Sequence, residues 1–181
     1  MLPTPAEGSL NTGVINLDHQ ATTPCHPAVI EAMEPWWREQ WGNASSRQHR
    51  LGLTAAAAVS SARKVLADSL GVESDEVIFT SGATEANNLA LLGHARFRAR
   101  AEGGPGHLIS VASEHHAVLD PLQQLRQEGF ELTLLTPRPN GLIEPTQLEQ
   151  AIQANTQLVS VMVANNEIGV LQPLEQLGAV C

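Results

Sequence analysis

The sequence predicts an α/β protein whose mainly parallel sheet is flanked by helices. Three observations support this class. From about Val77 onward, short β-rich runs alternate with helical stretches, which is the order of βαβ units. Glycine and asparagine turns separate these runs. The chain has 181 residues and is 43% hydrophobic, which suffices for one domain with a core.

The part of the chain before Val77 is less regular. We predict a tail over residues 1–13, followed by a domain over 14–181. Elements expected in the first part are a short strand over 14–17, helices over 27–41 and 54–70, and a polar loop over 42–50 between the helices. Gly71 follows the second helix in the position where a left-handed residue commonly ends a helix. We expect the three tryptophans to pack, since helical spacing brings Trp37 and Trp41 to one side.

The second part of the chain is predicted to contain four strands and four helices in alternation. The strands are expected over 77–80, 108–111, 130–135 and 158–164. The helices are expected over 84–100, 116–128, 147–154 and from 173 onward. The final helix has no capping residue after it, so we expect the domain to be truncated there.

Composition excludes several classes of function. The net charge is −9 and no basic cluster occurs, which argues against nucleic acid and anionic membrane surfaces as partners. No apolar run approaches the ~20 residues that a membrane-spanning helix needs, and the N-terminus resembles no secretion signal. Cys25 and Cys181 form no CxxC pair and no zinc-binding spacing. We therefore expect a reduced, cytoplasmic protein without a metal site.

The segment Phe79–Glu85, FTSGATE, is a candidate phosphate site. A predicted strand enters a glycine turn that opens a helix, where free N–H groups and the helix dipole favour an anion. Ser81 and Thr84 add hydroxyl donors. An ordinary helix cap formed by Ser or Thr is the commoner interpretation of such spacing. The motif alone leaves both open.

Two further motifs follow predicted strands. Ser113–His116, SEHH, offers an imidazole that can stack on a flat ring and move protons near neutral pH. Asn165 and Asn166 offer amides that can orient a ligand. The alternatives are a solvated histidine pair that begins a helix and a turn whose asparagines bond to their own backbone. Because parallel strands present their C-terminal ends at one sheet edge, all three motifs are expected to converge there.

The strings LDHQATTP, GNASSRQH, FTSGATEANNLAL, SEHHAVLDP, NGLI and VSVMVANNEIGVLQP follow one another from about Ile15 to Cys181. In order and spacing they resemble the cysteine desulfurases, class V aminotransferases of fold-type I. The resemblance implies the large domain of an enzyme that depends on pyridoxal 5′-phosphate.

The resemblance also implies roles for individual residues. Ala83 and Thr84 match positions that bind the cofactor phosphate through backbone and hydroxyl groups. His115 matches the catalytic histidine that stacks on the pyridine ring and assists proton transfer. Asn166 matches the residue that hydrogen-bonds the phenolic oxygen of the ring.

The activity that the resemblance implies is removal of sulfur from L-cysteine. Alanine leaves, and an enzyme persulfide supplies sulfur for iron–sulfur cluster and thiocofactor assembly. The implied partners are L-cysteine as substrate, a sulfur-acceptor or scaffold protein, and a second copy in a homodimer.

The large departure from the family concerns three reactive residues. The family's pyridinium-pairing aspartate, Schiff-base lysine and sulfur-accepting cysteine match nothing in the 181 residues. Lys64, the single lysine, lies on the polar side of a predicted helix, and neither Cys25 nor Cys181 matches the catalytic cysteine. We expect the cofactor to bind loosely, the chain alone to be inactive, and the strand at 77–80 to lack its neighbours.

Alternative hypotheses remain open. The chain is either one part of a split or interrupted desulfurase, a non-catalytic partner-binding or dimer-capping module, or a nonfunctional remnant. A stable fold that ignores pyridoxal phosphate would favour the module. Other class V activities, such as selenocysteine lyase or kynureninase, fit SGATE, EHHAV and NNEIG less well.

Overall fold

The computed structural model describes residues 15–181, and the chain divides into two compact units, Met1–Phe79 and Thr80–Cys181. The predicted tail and Val14 lie outside the described residues. Ile15 to Leu17, the rest of the first predicted strand, form no strand. The expected single domain over 14–181 stays a prediction, and the two units are described separately below.

The described part of the first unit, residues 15–79, contains two helices. Helix α1 spans Pro27–Arg38 and helix α2 spans Arg50–Leu70, and a single 3₁₀ turn follows at Ser74–Glu76. Helix α2 ends as predicted at Gly71, whose φ of 69° is a left-handed conformation that favours glycine. It begins four residues earlier than predicted, because His49 serves as its N-cap and accepts from the Gly52 N–H.

The predicted packing of the tryptophans is wrong for two of the three. Helix α1 ends at Arg38, three residues earlier than predicted, so Trp41 is not on the helix that carries Trp37. Trp37 is 76% exposed and Trp41 is 68% exposed, while Trp36 is half-buried. Helical spacing brings side chains together only where the helix continues, which explains the error.

The predicted strand at 77–80 is also absent. Val77 has extended backbone angles, φ −92° and ψ 116°, but no strand pairs with it in the described part of the chain. Its carbonyl instead accepts a hydrogen bond from Arg63 Nε at 3.1 Å, and the Arg63 guanidinium lies 5.0 Å from the centre of the Phe79 ring. Extended backbone becomes a strand only when a neighbour completes the ladder, in line with the expected lack of neighbours.

The second unit is an α/β layer structure, as predicted. Its three strands are all parallel in the order β2–β1–β3, so β1 is the central strand. Leu108 is paired with Leu132 on one side and with Leu158 on the other. The elements in chain order are α3 (Ala83–Glu102), β1 (His107–Val111), α4 (His116–Gln127), β2 (Glu131–Leu135), α5 (Pro145–Ala151), β3 (Thr156–Val159) and α6 (Leu174–Gly178).

The predicted boundaries hold within about two residues for α3, β1, α4 and β2. Strand β3 begins two residues earlier than predicted and ends five residues earlier, at Val159. Helix α5 is likewise shifted toward the N-terminus, because Glu144 and Gln147 form a capping box at its start. Alternating hydrophobicity does not reveal where a ladder ends, which is why the end of β3 was misplaced.

Strand β1 separates two apolar clusters. On one face, Leu108 packs with residues of α3 and α4, among them Leu91 and Leu122. On the other face, Ile109 and Val111 pack with residues of α5 and α6, Leu148 and Leu177. All five residues of β1 are buried. Burial on both faces is characteristic of the centre of a parallel sheet.

Helices α3 and α4 run in the same direction on one face of the sheet. Arg96, in the second half of α3, donates from Nε to Glu128 Oε2 at 2.9 Å, just after the C-terminus of α4. Leu91, one turn earlier in α3, packs in the cluster that holds Val118 of the first turn of α4. The N-termini of both helices therefore lie at the end of the sheet where β1 finishes.

Candidate functional site

The turn into helix α3 holds backbone donors that no other group uses. Gly82 is the N-cap and makes no side-chain capping bond, and the first backbone bond of the helix runs from Ala86 N–H to the Gly82 carbonyl. The N–H groups of Ala83, Thr84 and Glu85 consequently have no hydrogen-bond partner among residues 15–181. The interpretation of this turn as an ordinary Ser- or Thr-capped helix start is wrong.

The same turn is shaped by a carboxylate that the sequence analysis gave no role. Glu85 Oε2 accepts from the backbone N–H and from the hydroxyl of Ser81, both at 2.6 Å. The bond from the Ser81 hydroxyl has the larger effect on the pKa of Glu85 and the bond from the Ser81 N–H the smaller one. Both lower this pKa, so the carboxylate is ionised near neutral pH. Ser81 is thus committed to Glu85 and is not a free donor. Around Gly82 the space is open, since a Cβ built there meets no atom within 4 Å.

His115 is the N-cap of helix α4. Its Nδ1 accepts a hydrogen bond from the Ala117 N–H at 3.0 Å, so the neutral ring carries its proton on Nε2. The side chain is exposed at the end of the sheet where β1 finishes. The alternative interpretation was partly right, because the histidine pair does begin a helix, but only His115 has the capping role.

Asn166 sits at the tip of a small hairpin that follows β3. Ala164 and Leu171 form an antiparallel bridge, and the Asn165 N–H donates to the Val170 carbonyl at 2.9 Å. Asn166 is exposed, and its side-chain amide makes no hydrogen bond to the rest of the described chain. The amide is therefore available to a ligand.

Its neighbour Asn165 is buried and structural. The Oδ1 atom of Asn165 accepts from the N–H groups of Glu167 and Ile168, which matches the turn-forming interpretation of the asparagine pair. Its Nδ2 donates to the Ser113 carbonyl at 2.9 Å. The two adjacent amides thus have different roles, and burial distinguishes them.

The turn at Asn140 and Gly141 supports this hairpin. Gly141 has a φ of 81°, and a Cβ there would lie 2.8 Å from Ile168 Cδ1 and 2.9 Å from Val170 Cγ2. The Gly141 carbonyl also accepts from Gln172 Nε2 at 2.8 Å. Both the backbone conformation and the close approach require glycine at this position.

Glu114 joins the histidine loop to the segment between β3 and the hairpin. Its Oε1 accepts from the Met162 N–H at 2.6 Å, and the side chain is buried. Burial raises the pKa of the Glu114 carboxyl, and the bond from Met162 partly offsets this increase. The SEHH motif alone did not indicate a role for Glu114, because an acidic residue beside two histidines carries no signal of burial.

The elements that carry the three predicted motifs meet at one end of the sheet, and convergence of the individual side chains on one ligand stays a prediction. The N-termini of α3 and α4 lie at one end of the sheet, and Asn165 and Glu114 connect the hairpin to the loop between β1 and α4. Thr84, His115 and Asn166 all belong to this end. The part of the chain from 15 to 181 contains no group of acidic, histidine and cysteine side chains placed to hold a metal ion, and none of its helices is long and apolar enough to cross a membrane.

Comparison with known proteins places the chain among class V aminotransferases. The sequence pattern of the family described as aminotransferase class-V matches residues 15–181. The cysteine desulfurase IscS of Rickettsia massiliae is 49% identical over 167 residues, which are 92% of this chain and 40% of that protein. The IscS of Rickettsia bellii matches with the same identity and coverage. The chain therefore spans about two-fifths of the length of the curated relatives it matches.

Solved structures give the same result for the fold. A structure titled SspA in complex with cysteine is similar with a TM-score of 0.83 and 41% identity, over 90% of this chain and 46% of that one. The apo structure of a cysteine desulfurase from Thermococcus onnurineus has a TM-score of 0.81 and 28% identity, over 94% of this chain and 42% of that one. The predicted fold-type I architecture, incomplete relative to these neighbours, is confirmed.

Proposed function

Because the chain belongs to the aminotransferase class V family, we propose that it forms the phosphate- and ring-binding part of a cysteine desulfurase that depends on pyridoxal 5′-phosphate. The activity proposed for the whole protein is transfer of sulfur from L-cysteine to an enzyme cysteine, with release of alanine. The observation that carries the proposal is the position of Thr84, His115 and Asn166 at one end of the sheet, with donor groups that have no partner in the described chain.

The donors at the start of α3 fit a phosphate dianion. Three free N–H groups and the Thr84 hydroxyl surround the N-terminal end of a 20-residue helix, where the helix dipole favours negative charge. Apart from the two neighbours of Gly82 in the chain, no atom of the described residues lies within 4 Å of the Cβ position at Gly82. The ionised Glu85 lies in the same turn, where its carboxylate accepts from the backbone N–H and the hydroxyl of Ser81.

The groups around β1 and β3 fit an aromatic ring that bears a phenolic oxygen. His115 presents Nε2–H and a ring face, because Nδ1 is held by the Ala117 N–H. The Asn166 amide offers a donor suited to the phenolic oxygen. When bound, the cofactor supplies an electron-withdrawing ring on which bonds to the amino-acid carbon are weakened. His115 then holds or moves a proton at Nε2.

The amine and the thiol that the reaction requires are proposed to come from other residues than those of this chain. Lys64 is exposed and bonded through Nζ to both oxygens of Asp68 at 3.0 Å, as expected for a solvated helix lysine. Cys25 and Cys181 are exposed thiols without a match to the family's sulfur acceptor. We expect the 181-residue chain with added pyridoxal phosphate to release no sulfide from L-cysteine.

The remaining partners are part of the same proposal. They are L-cysteine, a sulfur-acceptor or scaffold protein for iron–sulfur cluster assembly, and a second copy in a homodimer. We place the protein in the cytoplasm, because both thiols are unbridged and exposed, a state that a reducing compartment maintains.

Binding of pyridoxamine 5′-phosphate to the 181-residue chain tests the proposal. This ligand carries the ring and the phosphate but no aldehyde, so it does not react with Lys64. Titration calorimetry should give measurable binding, with weaker binding of inorganic phosphate and of pyridoxamine. Equal affinity for pyridoxamine with and without its phosphate would contradict the phosphate site, and sulfide release by the chain alone would contradict the assignment of the amine and thiol.

A further inference from the structure

The chain that follows β3 remains hydrogen-bonded to β1 and to the loop after β1, beyond the last paired residues of the two strands. The Ser160 N–H donates to the Ile109 carbonyl at 2.9 Å, which continues the parallel pattern of β1 and β3. In that pattern, alternate residues donate to alternate carbonyls, so the Met162 N–H would next donate to the Val111 carbonyl. The structure shows a different bond at that rung.

The Val111 carbonyl is already used. It accepts from the Glu114 N–H at 3.1 Å, because the chain turns after β1 toward helix α4. The Met162 N–H donates to Glu114 Oε1 at 2.6 Å instead. The Glu114 side chain thus supplies the acceptor that the strand no longer provides.

A second bond between the same two segments also donates from the hairpin side, but here the donor is a side chain and the acceptor is a backbone carbonyl. Asn165 Nδ2 donates to the Ser113 carbonyl at 2.9 Å, and Asn165 is buried like Glu114. Glu114 immediately precedes His115, and Asn165 immediately precedes Asn166. Two buried side chains therefore join the two loops directly before the two exposed residues of the candidate site.

We propose that Glu114 and Asn165 are positioning residues that fix the His115 loop against the Asn166 hairpin at the spacing the cofactor ring requires. This inference rests on the proposed function of the site. Both side chains are buried and used in bonds between the loops, so neither is presented to a ligand. Their effect is to fix the positions of the His115 imidazole and the Asn166 amide. A binding site tolerates only small displacements of such groups.

Buried hydrogen bonds suit this role better than exposed ones. The two residues are buried, and for a buried charged or amide group a hydrogen bond is stronger and its loss leaves an unpaired polar atom. Burial also raises the pKa of the Glu114 carboxyl, which the bond from Met162 partly offsets. Glutamine at this position keeps a carbonyl oxygen for the Met162 N–H, whereas alanine leaves that N–H without an acceptor.

The test compares Glu114→Ala and Glu114→Gln in the 181-residue chain, with Glu149→Ala on α5 as the matched control. The side chain of Glu149 is exposed and makes no hydrogen bond or ion pair with another side chain or loop within residues 15–181. The first measurement is the amide exchange rate of Met162 by NMR, without any ligand. We expect exchange to be at least about tenfold faster in Glu114→Ala and close to wild type in Glu114→Gln.

The second measurement is binding of pyridoxamine 5′-phosphate and, separately, of inorganic phosphate. We expect Glu114→Ala to weaken pyridoxamine 5′-phosphate about tenfold, to leave inorganic phosphate unchanged, and to be rescued by Glu114→Gln. Equal loss for both ligands would indicate general unfolding and overturn the positioning role. Unchanged binding of pyridoxamine 5′-phosphate would overturn it as well.

The two measurements separate the failure of this inference from the failure of the proposed function. If wild type binds neither ligand, the proposed function fails and the positioning role falls with it, whatever the Met162 exchange rate. If wild type binds and Met162 exchange is the same in all variants, the connection between the loops is overturned while the proposed function stands.

Discussion

The carboxylate of Glu114 accepts a hydrogen bond from the backbone N–H of Met162 at 2.6 Å, at the rung where the Val111 carbonyl would be the acceptor in a regular parallel ladder. One side chain therefore extends the connection between two strands after the strands themselves have ended. The residue that follows Glu114 is His115, so the bond lies directly beside the candidate site.

Replacing Thr84 should weaken phosphate binding without affecting the fold. Thr84→Ala removes a hydroxyl that has no partner in the described chain, so we expect about tenfold weaker binding of pyridoxamine 5′-phosphate and an unchanged free energy of unfolding. Thr146→Ala is the control, since Thr146 is an exposed threonine near the start of helix α5. Calorimetry gives the affinities, and an unaltered affinity in Thr84→Ala would exclude its hydroxyl from the site.

The two roles of His115 should separate between two variants. His115→Ala removes the N-cap of α4 and should lower the free energy of unfolding by about 1 kcal/mol. His115→Asn restores a capping oxygen and should recover that stability, but it has no ring to stack on the ligand. We expect both variants to bind pyridoxamine 5′-phosphate more weakly than wild type.

Urea denaturation and calorimetry on the same samples make this comparison. Wild-type affinity in His115→Asn would mean that the imidazole contributes only the cap.

The adjacent asparagines should respond oppositely to replacement by alanine. Asn165→Ala deletes a buried amide that bonds to Ser113, Glu167 and Ile168, so the free energy of unfolding should fall by about 2 kcal/mol. Asn166→Ala should change stability by less than about 0.5 kcal/mol, because its side chain is exposed and unbonded within the described residues. It should still weaken pyridoxamine 5′-phosphate binding. Similar stability losses in both variants would contradict this division of roles.

His107 should make the stability of the chain sensitive to acid. Its buried ring bridges two strands, with Nδ1 2.8 Å from Thr156 Oγ1 and Nε2 2.8 Å from Thr133 Oγ1. Burial lowers its pKa, against a smaller opposing effect of Glu131, so the folded state disfavours the proton. The unfolded state then binds more protons than the folded state over the range between the two pKa values.

This contribution is present above the ordinary histidine pKa of about 6.5 and is lost as pH falls through the lower folded pKa. We expect the free energy of unfolding of wild type to fall below about pH 6.5 more steeply than that of His107→Gln. The contributions of other titrating groups, such as Glu114, are the same in both proteins. They therefore cancel when the free energy of unfolding of His107→Gln is subtracted from that of wild type. Parallel curves between pH 5 and pH 8 would show that His107 does not carry the effect.

Much of this protein could be predicted from local sequence. The Gly71 cap, the helices and strands from Ala83 to Leu135, and the parallel order of the second unit follow from periodicity and turn residues, which act over a few positions. The motifs around Thr84, His115 and Asn166 were also recognisable, because their residue types carry chemistry and follow predicted strands. The comparisons agree with the family those motifs indicated.

Other features depended on contacts between distant segments. The strand at 77–80 did not form, because extended backbone needs a partner that the local sequence does not contain. The acceptor of the Met162 N–H, beyond the end of β3, is the Glu114 side chain, 48 positions away in the sequence. Burial and geometry also decide that Ser81 bonds to Glu85, that Asn165 is buried and bonded, and that Asn166 is exposed.

The sequence by itself determined the alternation of strands and helices, the composition of the three motifs and the identity of the family. The tertiary structure alone decided which of the motif residues are free to meet a ligand and which are used to hold the loops together. The physical reason is that hydrogen-bond partners are assigned in space. The sequence names a carboxylate or an amide but does not indicate whether it bonds to the nearby backbone, to a distant strand or to no other group.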